Sequence, residues 1–189
     1  MVKAAFAVFS ACFLVSSSAC AGEGPIGRLF EGRSSVKVYI DEVVNRSGHE
    51  MISIERFKKN LAEEFSKRKS IKFEVVSDPS QSDVRISSVI KKYDYMERGP
   101  LKPVPGMTPA TLLDAAATAS HNYAEMDVEY TVTDSRTGSV LWKDDLEFHI
   151  KKNMTPEESV EAISDRSANM FIWKCFGDRD GTEIMKASR

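Results

Sequence analysis

The spacing of apolar residues along the chain switches between a two-residue and a three-to-four-residue rhythm. Val36-Lys37-Val38-Tyr39-Ile40-Asp41 alternates as a half-buried strand does, and the turn residues Asn45-Arg46-Ser47-Gly48 close it. From Met51 to Lys69 the apolar positions Met51, Ile54, Phe57, Leu61 and Phe65 recur at helical steps, while Lys58, Lys59, Glu63, Glu64, Lys67 and Arg68 fill the other side. That pattern predicts an amphipathic helix whose mixed charges form a solvated face with i,i+4 pairs. Ile71 to Val76 reads as a second strand, ended by Ser77-Asp78-Pro79-Ser80. Val84, Ile86, Ser88 and Ile90 share one face of a third, which runs to Tyr95.

The clearest alternation lies between Tyr123 and Ile150. Met126, Val128, Tyr130 and Val132 are interleaved with Glu125, Asp127, Glu129, Thr131 and Thr133. After the turn Asp134-Ser135-Arg136-Thr137-Gly138-Ser139, Val140 and Trp142 lead into Leu146, Phe148 and Ile150. This predicts a long antiparallel hairpin with one wet face. Thr155-Pro156-Glu157-Glu158 then has the form of a capping box with proline at the first helical position. It opens a helix with Val160, Ile163, Ser167, Met170 and Phe171 as its buried stripe and Gly177 as its stop. The order β-α-β-β-(loop)-β-β-α predicts an α+β fold, two helices on one face of a mostly antiparallel or mixed sheet of four to five strands.

Two stretches stand outside this rhythm. Met96 to Asn122 contains the proline-rich Gly99-Pro100-Leu101-Lys102-Pro103-Val104-Pro105-Gly106 and an alanine-rich run, and reads as a long loop within the domain. The N-terminus has one charge at Lys3, an apolar run from Ala4 to Val15 and then small residues, which is the form of a secretory signal peptide over residues 1–19. The apolar run is shorter than the roughly 20 residues that span a bilayer. Ser17-Ser18-Ala19-Cys20 resembles a lipoprotein box, which makes Cys20 the lipid-bearing first mature residue, although Ser17 replaces the usual Leu or Val. Ala19-Cys20-Ala21 equally fits ordinary signal peptidase cleavage, which releases a soluble periplasmic protein from Gly22. Residues 20–35, rich in Gly and Ser, read as a flexible tether, 36–177 as the single domain and 178–189 as a tail.

Composition narrows the chemistry. Among 189 residues, 26 Lys and Arg against 28 Asp and Glu give a net charge of -2, so nothing pulls the chain onto nucleic acid or an anionic leaflet. Three cysteines make no disulfide framework, and no Cys/His spacing offers a metal site or calls for a cofactor. His49, His121 and His149 fall in a turn, a loop and the wet face of a strand. Asp144 and Asp145, next to Glu147, are neighbours on a strand and point to opposite faces, so they do not form a carboxylate pair. No nucleophile elbow or phosphate loop occurs, and Cys175 near a helix end reads as a buried thiol. The reading is of a noncatalytic protein that works by contact.

Together, the Cys20 signal region, Val36 to Gly48 with its helix, Val75 to Tyr95, the hairpin Tyr123 to Asp145 and the helix from Glu157 resemble the LptE family, outer-membrane lipoproteins of lipopolysaccharide assembly. The motifs that carry the resemblance are Asn45-Arg46-Ser47, Ser82-Asp83-Val84 and the Asp134 to Trp142 turn. It implies a lipid-anchored protein at the periplasmic face of the outer membrane, seated in the lumen of a β-barrel translocon of the LptD kind. It also implies lysines and arginines offered to glycolipid phosphates: Lys91, Lys92, Arg98, Lys102, Arg136 and Lys143. Similar strand-helix and hairpin patterns occur in lipoproteins that activate cell-wall synthases or belong to secretion channels, and these stand as the alternative.

Overall fold

The computed structural model describes residues 25–30, 33–69, 71–97, 108 and 122–177. Five strands form one mixed sheet: β1 (Val36–Asn45), β2 (Phe73–Val75), β3 (Val84–Met96), β4 (Asn122–Asp134) and β5 (Val140–Lys152), in the order β2-β1-β3-β4-β5. Two helices, α1 (Ile54–Ser66) and α2 (Pro156–Phe176), pack on one face, α1 over β1 and β2 and α2 over β4 and β5. The α+β architecture read from the sequence is the one observed.

Strand β1 pairs in parallel with both β2 and β3. Parallel neighbours ordinarily need a long crossover. Here β2 spans only the start of β1, and Val38 stands level with Val75 at the end of β2 and with Val84 at the start of β3. The chain therefore crosses from one side of β1 to the other at one level, through the short 3₁₀ turn Pro79–Gln81, without having to return. β3, β4 and β5 are antiparallel neighbours, and Met96 pairs with Tyr123, so the proline-rich connection of 97–121 leaves and re-enters the sheet at adjacent points.

Between sheet and helices lies an aromatic core. Tyr130 and Phe171 stack at 4.2 Å and 8°, with Trp142 at 5.6 Å from Phe171. Phe65, Phe73 and Phe176 close the other end edge-on to one another, at 4.9 to 5.8 Å. Helix α2 begins as its sequence predicts. The Thr155 side chain accepts from the Glu158 amide at 3.2 Å, Glu158 returns the bond to the Thr155 amide at 2.9 Å, and Gly177 ends the helix at φ 79°.

The tether boundary needs correction. Residues 20–35 read as flexible because the segment lacks periodicity, yet its described part is folded. Gly27–Phe30 form a 3₁₀ turn, the Ile26 amide donates to the Cys175 carbonyl at 3.1 Å, and Ile26 and Phe30 join the core at 2% and 7% exposure. Two apolar residues four apart are enough to dock a single turn on the end of α2, and a window that short shows no period. The folded unit therefore begins by Pro25 rather than at Val36.

Candidate functional site

The sheet face away from the helices carries the charged residues. Along β4 the core side holds Ala124, Met126, Val128, Tyr130 and Val132, all fully buried, and the open side holds Glu125, Asp127, Glu129, Thr131 and Thr133. Strand β3 departs from strict alternation. A bulge between Ile90 and Lys92 opposite β4 leaves both Ile90 and Tyr93 in the core, so the two residues between them, Lys91 and Lys92, both face outward. Without the extra residue, one of these lysines would point into the apolar core.

On the open face the cations are met by carboxylates. Lys91 Nζ lies 2.8 Å from Glu129 and 2.6 Å from Asp145, and Lys143 Nζ lies 2.8 Å from the other oxygen of Glu129. Lys92 Nζ lies 2.6 Å from Glu125 and 3.0 Å from Asp94. These hydrogen bonds raise the pKa values of Lys91 and Lys92. Glu129, accepting from Lys143 and Lys91, is lowered to about 2. Asp127, partly desolvated and next to Glu147 and Glu125, is raised.

Of the cations implied by the resemblance, the structure thus gathers Lys91, Lys92 and Lys143 on one face and pairs each with acids. Arg136 sits apart at the exposed hairpin tip. Arg98, Lys102 and Cys20 lie outside the described residues, as does His121. A lysine held by two carboxylates is a weaker phosphate ligand than a free one, because the phosphate must displace an anion already in place.

The depressed Glu129 carries a pH prediction. A carboxylate whose folded pKa is lowered adds stability that is present above its ordinary value of 4.5 and is lost as pH falls towards about 2. The stability gap between wild type and Glu129→Gln in urea titrations should be widest at neutral pH and close across that window. A gap independent of pH would show that the Lys91-Glu129-Lys143 bridge contributes nothing.

A second group on the same face is one the sequence reading missed. The register of β4 with β5 sets Glu125 opposite His149 and Asp127 opposite Glu147. One donor atom from each of Glu125, Glu147 and His149 lies within 4.8 Å of the others, the one such group among the described residues. The His149 ring stacks on Tyr123 at 5.6 Å, its Nδ1 shares a hydrogen bond with the Tyr123 hydroxyl, and its Nε2 is 3.1 Å from Glu147. His49 instead packs edge-on against core-facing Tyr93. Metal-ligand spacing is legible only along the chain, whereas this set forms across two strands. The legible signal was the matched alternation of the hairpin.

The motifs behind the family resemblance all have local structural work. Asn45 accepts from the Ser47 amide at 3.0 Å and donates to the His49 carbonyl at 2.9 Å, which folds the turn after β1. Asp83 accepts from the Lys37 amide at 2.8 Å and from Arg33 at 2.9 Å, and Ser82 bonds Ser135, so this step pins the start of β3 to β1 and to the hairpin turn. Asp134 accepts from the amides of Arg136 and Thr137 at 2.9 and 2.7 Å, an Asx turn that lowers its pKa, and Gly138 takes φ 71°. Cys175 is a free, buried thiol whose pKa burial pushes up, which makes it a poor nucleophile.

Fold and face together define a two-layer α+β protein with a charged open sheet. No family model matches the chain and no curated protein matches it, so the LptE resemblance rests on the quoted residues alone. Solved structures match loosely. The hypothetical protein CT253 from Chlamydia trachomatis is 9% identical with TM-score 0.48, over 73% of this chain and 94% of that one. A PelC dodecamer from Paraburkholderia phytofirmans is 10% identical with TM-score 0.43, over 70% and 86%. The lipoprotein GNA1162 from Neisseria meningitidis is 10% identical with TM-score 0.38, over 72% and 97%. Likeness at this level assigns no function.

Proposed function

We propose that the chain is an exported, lipid-anchored protein of the bacterial envelope that acts without catalysis, by docking its open sheet face on an outer-membrane β-barrel partner in lipopolysaccharide assembly. The observation that carries the docking reading is the ion-paired face of β3, β4 and β5. Its alternating cations and anions suit a protein surface of matching pattern, where each charge exchanges one partner for another. Export and anchoring are supported by the signal-like segment ending at Cys20, and no described helix is long and apolar enough to cross a membrane. The lipopolysaccharide assignment is supported by the family resemblance of the sequence.

Affinity purification from detergent-solubilised membranes tests this reading. The expected result is a stoichiometric barrel partner, lost when Lys91 and Lys143 are both changed to Glu. Recovery of an inner-membrane synthase instead would transfer the protein to the activator alternative. Metabolic labelling with a palmitate analogue should mark the wild type and leave Cys20→Ala unmarked. An unlabelled wild type would overturn the lipid anchor.

A further inference from the structure

The Glu125, Glu147 and His149 group has the donor chemistry of a metal site and a shortage of positive charge. Asp94, Glu125, Asp127 and Glu147 gather around the Lys92 ammonium, which is ion-paired with Asp94 and Glu125. Asp127 Oδ1 is closed off from solvent and has no hydrogen-bond partner. A carboxylate oxygen in that state is costly unless a cation stands near it.

The imidazole is also set for ligation. Its Nδ1 is occupied by the Tyr123 hydroxyl and its ring is held by stacking, which leaves Nε2 on the Glu147 side. Metal-bound histidines are oriented in this way, with the second ring nitrogen bonded to an oxygen outside the ligand set. With bonds of about 2.1 Å, two ligands of one zinc ion stand roughly 3.4 Å apart in a tetrahedral site. The 4.8 Å limit, which holds for one nitrogen of the imidazole and one oxygen of each carboxylate, therefore leaves about 1.4 Å to close at most. Glu147 is exposed and free to move that far.

We propose that Glu125, Glu147 and His149 Nε2 bind a single divalent transition metal ion of the zinc type, with Asp127 balancing its charge from the adjacent pair position. One imidazole with two carboxylates suits zinc, copper or nickel better than calcium or magnesium, which take all-oxygen shells. Three protein ligands leave a coordination position open to solvent. The ion would also tie edge strand β5 to β4. This site is independent of the partner assignment above.

The probe is Zn²⁺ alone, titrated calorimetrically into the purified, chelator-treated protein at neutral pH. One ion per chain should bind, and His149→Ala and Glu147→Gln should each weaken it about ten-fold or more, while Arg136→Gln leaves it unchanged. All three side chains are exposed, so circular dichroism should show the variants folded. Copper(II) electron spin resonance separates this site from a thiol: the spectrum should carry one imidazole nitrogen, lost in His149→Ala. Absence of saturable binding below about 1 mM would overturn the site. Binding unaffected by either ligand variant would overturn it equally.

Discussion

Phe171→Ala should lower the unfolding free energy by about 3–5 kcal/mol, the range for removing a fully buried aromatic side chain. Phe171 has no exposure and touches both halves of the core. It stacks on Tyr130 of β4, meets Trp142 of β5, and lies edge-on to Phe65 of α1 and to Phe176 one turn further along its own helix. The loss has two parts, the transfer of the ring and the cavity left among neighbours that cannot all close on it. Tyr130 is additionally held by the Ser167 hydroxyl at 2.6 Å and has little room to follow. Urea unfolding should show a lower midpoint with an unchanged slope. Met96→Ala, at a 54% exposed position, should stay within about 0.5 kcal/mol of wild type. A Phe171→Ala loss under about 1 kcal/mol would mean that the helix does not seat on the sheet as described.

Gly27→Ala should release the N-terminal turn. A Cβ at this position would stand 2.2 Å from the Phe176 carbonyl oxygen, which is backbone at the end of α2 and cannot rotate away. The turn must lift, breaking the bond from the Ile26 amide to Cys175 and exposing Ile26 and Phe30. Each of these side chains gains about 1.5–3 kcal/mol from burial, so the full release costs on the order of 3 kcal/mol or more. Hydrogen exchange should locate the effect, with the Ile26 amide losing its protection while the amides of β4 keep their order of exchange. If Gly27→Ala exchanges and unfolds as the wild type does, the segment is the loose tether that its composition implies.

The two variants probe features of different legibility. The hydrophobic stripe holding Phe171, and the capping box that starts its helix, stand in the sequence because helical period and cap chemistry are local. The docked turn at Ile26 and Phe30 does not, since a contact between residues 26 and 175 leaves no mark on either neighbourhood. The candidate face is divided in the same way. Alternation assigned Glu125, Asp127, Glu129 and His149 to the wet side of the hairpin, as observed. A period of two has no place for the bulge in β3 that turns both Lys91 and Lys92 outward.

By itself, then, the sequence determined the elements, their order, the turns at Asn45 and Asp134, and the division of the hairpin into a core side and a charged side. All of these follow from interactions within a few residues. Tertiary structure decided which charges meet: Lys91 with Glu129 and Asp145, and Glu125 with His149 and Glu147. Those meetings depend on strand order and on register, including the irregularity between Val132 and Thr133 near the hairpin turn. A slip of two residues keeps every side chain on its own face and changes every partner, so alternation fixes the face of each residue and packing selects the residue opposite.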